Sequence, residues 1–126
     1  MTNNRNFVDR RRHKRFKARE GAFAVPKSDA NKLGRIKNVS QGGLAFQYTA
    51  REDYFEGFTE MDIFLSDDRF YMQQVPVRTI LDFEVDNKTP LNSLRLRQRN
   101  IQFGDMIPIQ KFQLYYFLQH HTTDEV

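Results

Sequence analysis

Arginine dominates one short run of this chain, Arg10-Arg11-Arg12-His13-Lys14-Arg15. Arg11 and Arg15 stand four apart, with Arg10 and Arg12 beside the first of them. A guanidinium is planar and permanently charged. It grips a phosphate at two points, pairs with the O6/N7 edge of guanine and stacks on a base. A cluster of guanidinium groups therefore suits an anion that carries both phosphate and guanine. A nucleic-acid tail, or a solvated cationic tail, satisfies the same run of charge.

A second stretch, Asn38-Val39-Ser40-Gln41-Gly42-Gly43, carries polar chemistry of another kind. Asn38 and Ser40 are two apart, so an extended chain projects both to one side. Amide and hydroxyl groups can each read the edge of a base. Gly43 lets a backbone approach a ligand closely, and the glycines are expected to supply positive φ angles in a hairpin running from Ser40 to Gly43. An ordinary hairpin uses the same residue types. Together the two stretches read as a flexible cationic clasp and a rigid polar edge.

The elements that must hold them follow from periodicity. Phe23 and Val25 alternate with small residues up to Pro26, a first strand, and 27–32 is a polar turn. A second strand covers 33–39. Leu44, Phe46 and Tyr48 keep a period of two in the third. Residues 49–59 form a charged, aromatic loop. Met61, Ile63 and Leu65 mark the fourth strand, and 66–69 is a turn. A fifth runs from Phe70 to Val85, where Pro76 implies an edge or a bulge. The sixth runs from Leu94 to Phe103. Its apolar phase flips from Leu94 and Leu96 to Ile101 and Phe103, which predicts a bulge at 98–100. Arg95, Arg97 and Arg99 read as a solvated sheet face. Pro108 opens a helix to about His120, with Ile109, Phe112 and Tyr116 on an apolar face that needs a partner surface. Phe112, Tyr116 and Phe117 are expected in the core, and the three histidines on the surface.

The fold class is therefore mainly β: a six-stranded antiparallel, Greek-key-like barrel with a flexible basic N-terminal arm and one C-terminal helix. Residues 1–9 are expected to be disordered, 10–121 to form one domain and 122–126 to fray. The chain has 126 residues, 39% of them hydrophobic, with twelve Phe and no Trp, enough for one Phe-rich core. The absence of cysteine removes disulfides, thiolate catalysis and the usual zinc sites. Scattered histidines and the absence of a nucleophile–base pair argue against metal or hydrolytic chemistry, so no enzyme and no cofactor are expected. The sequence contains neither a secretory leader nor a run apolar enough to span a bilayer, so a cytoplasmic setting is expected. Residues 5–19 hold eight cations against Asp9, a net of +7, so the remainder of this +4 chain carries −3. A basic arm on a mildly acidic body points to an anionic partner at the arm.

Arg-x-x-x-Arg before a first strand, then Asn-x-Ser-x-x-Gly between the second and third, resembles the PilZ domain family. The residues are Arg11 and Arg15 for the first motif, and Asn38, Ser40 and Gly43 for the second. The likeness runs from about Asp9 to His120; the aromatic loop at 49–59 departs from it. It implies a barrel that binds the bacterial second messenger cyclic di-GMP. Arg11 and Arg15 would hold phosphate and guanine, Asn38 and Ser40 the guanine edge, and Gly43 the turn. In the family an arginine directly before the first motif, here Arg10, goes with a stacked pair of ligands. The implied role is a receptor or adaptor whose ligand orders the arm and presents a surface to a protein effector. Two other readings stay open: a PilZ-like protein-interaction module without ligand, and a basic-tailed small barrel that binds nucleic acid.

Overall fold

A computed structural model of the chain describes residues 13–27, 33–50, 57–67, 69–85 and 95–126. The expected disorder of residues 1–9, and the positions of Arg10, Arg11 and Arg12, lie outside the described residues. Eight strands and one helix follow in order: β1 (Phe16–Ala18), β2 (Ala22–Pro26), β3 (Gly34–Val39), β4 (Gly43–Ala50), β5 (Glu60–Leu65), β6 (Tyr71–Glu84), β7 (Arg95–Phe103), α1 (Pro108–His120) and β8 (Thr122–Glu125). The sheet order is β2-β5-β6-β7-β4-β3-β1-β8, and a further β2–β3 pairing closes the first six into an antiparallel barrel. The six expected strands are those six.

Closure depends on β3 changing partners along its length. Arg35 and Gly34 pair with Phe23 and Ala24 of β2, whereas Asn38 and Val39 pair with Lys17 and Phe16 of β1. A register shift between Ile36 and Asn38 against β4 marks the changeover. Gly21, at φ 89°, turns the chain from β1 into β2.

Inward-facing Leu44, Phe46 and Tyr48 of β4, Met61, Ile63 and Leu65 of β5, Met72, Val75 and Val77 of β6 and Ile101 of β7 fill the barrel. The period of two in β4 and β5 is thus a true core pattern. In β2 the small residues point inward: Ala22 and Ala24 are buried, while Phe23 stacks outside on Phe64 at 5.6 Å. A bulge shifts the β5–β6 register between Met61 and Ile63, with Gln74 at φ 54° just ahead of Pro76. Pro76 therefore sits beside a bulge in an interior strand, not at an edge.

Four expectations need correction. First, β7 has no bulge. It pairs with β4 without interruption from Gly43↔Gln102 to Ala50↔Arg95, and the extra residue lies in β6, between Thr79 and Leu81. The apparent phase flip arises because arginines occupy inward positions. Arg99 is fully buried and Arg97 nearly so, both salt-bridged to Asp82 at 2.6 and 2.7 Å, so of the three arginines expected on a solvated face only Arg95 is exposed. Second, residues 122–125 do not fray. They form β8, pairing Glu125 with Phe16 and Thr122 with Ala18, because β1 offers an open edge far away in sequence. Third, of the helix aromatics only Phe117 enters the core; Phe112 and Tyr116 are exposed. Gln110, Leu114 and Phe117 form the buried face of the helix, and Phe112 and Tyr116 lie on the opposite face. Fourth, His121 is buried, its ring set against Phe70 and Phe117.

Gln110 docks the helix. Its Oε1 accepts from the Ile107 amide at the helix start, while its Nε2 donates to the carbonyls of Gln73 and Gln74 at the β6 bulge, at 2.7 and 3.1 Å.

Candidate ligand cleft on the outer face of the barrel

Alternation along β4 separates two chemistries. Leu44, Phe46 and Tyr48 face in, so Gly43, Ala45 and Gln47 face out. Pairing carries that outer face sideways. Lys17, Asn38, Ala45, Asn100 and Leu81 lie abreast across β1, β3, β4, β7 and β6. Small residues on β4 leave a trough between taller neighbours. A cleft of about 370 Å³ lies there, lined on one wall by His13, Arg15, Asn38 and Ser40 and on the other by Ile80, Asn100 and Gln102. Its floor includes Gly42, Gly43 and Ala45. That volume falls at the lower end of the ~300–1,000 Å³ of small-molecule sites.

Ser40 is buried and built into the turn. Its hydroxyl accepts from the amides of Gly42 and Gly43 at 3.0 and 3.2 Å, and its own amide donates to the Gly43 carbonyl at 2.8 Å. The rigidity expected of this edge therefore comes from the serine itself. The glycines have a different reason from the expected one. Among the described glycines only Gly21 has a positive φ. A Cβ on Gly43 would collide with the Ile101 carbonyl across the β4–β7 pair, so close strand approach demands glycine there. A Cβ on Gly42 would stand 2.9 Å from Cδ2 of His13, which leans over the turn.

Arg15 is exposed just before β1, at the cleft wall. The Val126 amide donates to its carbonyl at 2.8 Å, so the C-terminal strand helps to hold the segment that carries it. Arg19, counted with the basic arm from sequence, belongs to the body: its Nη2 donates to both Asp67 oxygens at 2.8 Å. Of the six expected ligand residues, Arg15, Asn38, Ser40 and Gly43 thus meet at one cleft, while Arg10 and Arg11 lie outside the described residues. Sequence reading missed the far wall. Its signal was the polar series Gln98, Asn100, Gln102 at every second position of β7.

A second polar cluster lies on the opposite, inner face of the same strands. Asp82 accepts from Tyr48 Oη at 2.5 Å, from Arg99 Nε at 2.6 Å and from Arg97 Nε at 2.7 Å. Burial pushes the Asp82 carboxyl up, but the hydrogen bonds from Tyr48, Arg99 and Arg97 outweigh it and hold it below its ordinary value. Burial, then the bond to Asp82, raises the Tyr48 phenol. The Arg99 guanidinium lies 4.8 Å from the Phe58 ring centre. Every member is held by ion pairs and hydrogen bonds to the others inside the barrel, so the cluster is structural. Among the described residues no group of three His, Cys, Asp or Glu could hold a metal, and no helix is long and apolar enough to cross a membrane.

Comparison with solved structures shows which fold this architecture shares. MrkH of K. pneumonia in complex with c-di-GMP superposes with a TM-score of 0.66 at 18% identity, over 89% of this chain and 52% of that one. The PilZ domain of YcgR from Escherichia coli with c-di-GMP gives 0.62 at 19% identity, over 85% and 87% of the two chains. The chain has the PilZ fold. A longer YcgR structure in complex with c-di-GMP gives 0.63 at 16% identity, over 88% of this chain and 45% of that one. This PilZ-fold chain thus spans about half the length of MrkH and of the longer YcgR, and most of the YcgR PilZ domain. No family model and no curated protein matches its sequence. At such identities the likeness is one of fold, and the site rests on its own residues.

Proposed function

We propose that this protein is a non-catalytic receptor for cyclic di-GMP that acts through a protein effector in the cytoplasm. The observation that carries the reading is the convergence of Arg15, Asn38 and Ser40 on one cleft floored by Gly43. These residues come from the two motifs of the PilZ resemblance, and they meet on a PilZ fold whose solved neighbours include c-di-GMP complexes. In this reading Arg11 and Arg15 clasp phosphate and guanine, Asn38 and Ser40 meet the base edge, and Arg10 admits a second, stacked ligand. The arm orders against the barrel on binding, and the joint surface meets the effector. Charge-assisted hydrogen bonds contribute about 1.5–3 kcal/mol each. Three or four supply the roughly 8 kcal/mol of micromolar affinity, less the cost of ordering the arm.

Calorimetric titration with cyclic di-GMP, with GTP and single-stranded DNA as controls, tests this. Cyclic di-GMP should bind alone of the three. Arg15→Ala should weaken it by about tenfold or more while leaving the melting temperature of the free protein unchanged, since Arg15 is exposed. Unaltered affinity in that variant would refute the assignment.

A further inference from the structure

The far wall of the cleft is built as carefully as the near one, and no motif accounts for it. Asn100 stands two strand spacings from Asn38, with only Ala45 between them. At about 4.8 Å per spacing the two amides flank a trough of roughly 10 Å, open to a flat heterocycle. Behind Asn100 runs an amide relay. Gln47 Nε2 donates to Gln98 Oε1 at 3.1 Å, and Gln98 Nε2 donates to Asn100 Oδ1 at 3.1 Å. With Oδ1 engaged by Gln98, the group that Asn100 turns to a ligand is its NH₂ donor. Gln102 is set in the same way: Arg78 Nε donates to its Oε1 at 2.9 Å. Guanine offers two acceptors on one edge, O6 and N7, whereas adenine pairs its N7 acceptor with an N6 donor. A wall of donors therefore favours guanine. Ile80 adds an apolar surface. It is the extra residue of the β6 bulge, lines the cleft, and is 57% exposed. Bulges re-aim single side chains in this way.

We propose that Asn100, oriented by the Gln47–Gln98 relay, reads a base edge of the bound cyclic dinucleotide and sets its preference for guanine over adenine, with Ile80 covering the base. This rests on the receptor reading above and names the residues that select its ligand.

The test titrates wild type, Asn100→Asp and Arg15→Ala with cyclic di-GMP and cyclic di-AMP. Asn100→Asp keeps the acceptor for Gln98 but replaces the outward donor with an acceptor. Its added negative charge repels the identical phosphates of both ligands equally, so the ratio of the two affinities isolates base reading. That ratio should fall by about tenfold or more in Asn100→Asp; Arg15→Ala, which removes a contact to both phosphate and guanine, should weaken cyclic di-GMP binding. Asn100→Ala, which removes the amide without adding charge, should lower it in the same direction and serves if Asn100→Asp does not fold. An unchanged ratio in a variant that melts like wild type would overturn the role of Asn100 and leave the receptor reading intact. Wild type that binds neither ligand would overturn both.

Discussion

Arginine serves three purposes in this chain, and its environment decides among them. Arg15 is exposed at the cleft, Arg19 is bound to Asp67, and Arg99 is buried inside the barrel. The last case has measurable consequences. Asp82 is ion-paired with two guanidinium groups and takes a hydrogen bond from Tyr48. Removing one partner of a buried ion pair costs about 3–5 kcal/mol, because the remaining charge is left uncompensated. Asp82→Asn should lower unfolding stability by that order in urea titrations. The folded pKa of Asp82 lies below its ordinary value, so its contribution is present above an unfolded pKa of about 3.9 and is lost as pH falls through the lower folded value. Wild type should therefore lose stability on acidification below about pH 4, and Asp82→Asn should show a shallower acid slope.

Among the elements, β4 is the divider between core and cleft, and its first residue shows how tightly it is seated. The Ile101 carbonyl occupies the space that a Cβ on Gly43 would take. Gly43→Ala must push β4 from β7 at the end that floors the cleft. A loss of about 2 kcal/mol or more is expected, read as a lower melting temperature. Gly42→Ala provides the contrast. Its new methyl meets only the edge of the exposed His13 ring, which can swing aside, so stability should change by under about 1 kcal/mol. Periodicity revealed β4 and the helix readily, because each has a run of apolar residues at its own repeat. β7 was harder to read. Two inward arginines erased its apolar phase, and their ion pairs with Asp82, on the neighbouring strand, help to make those positions tolerable.

At the scale of the whole molecule the two ends of the described chain meet. β8 pairs with β1, and the Val126 amide bonds the carbonyl of Arg15. The strand expected to fray thus helps position a ligand arginine. Deleting residues 122–126 should leave the barrel folded, since the six closing strands do not include β8. It should weaken cyclic di-GMP binding by about threefold to tenfold, because the Arg15 segment must then be ordered at the expense of binding. Hydrogen exchange at residues 16–18 should rise in the same variant; unchanged exchange and affinity would show that β8 has no such role.

Local pattern was enough to reveal a mainly β chain with a terminal helix, the Asn-x-Ser-x-x-Gly turn and the basic run before the first strand. Each is a property of neighbours in sequence: alternation, helical spacing, turn chemistry, charge density. What Asn100 faces, why Gly43 must be glycine, where Arg97 and Arg99 point and what residues 122–125 pair with depended on the fold. Strand pairing joins residues tens of positions apart, as Asn38, Ala45 and Asn100 stand abreast. A polar side chain in such a sheet is core, wall or surface according to partners that no local window contains.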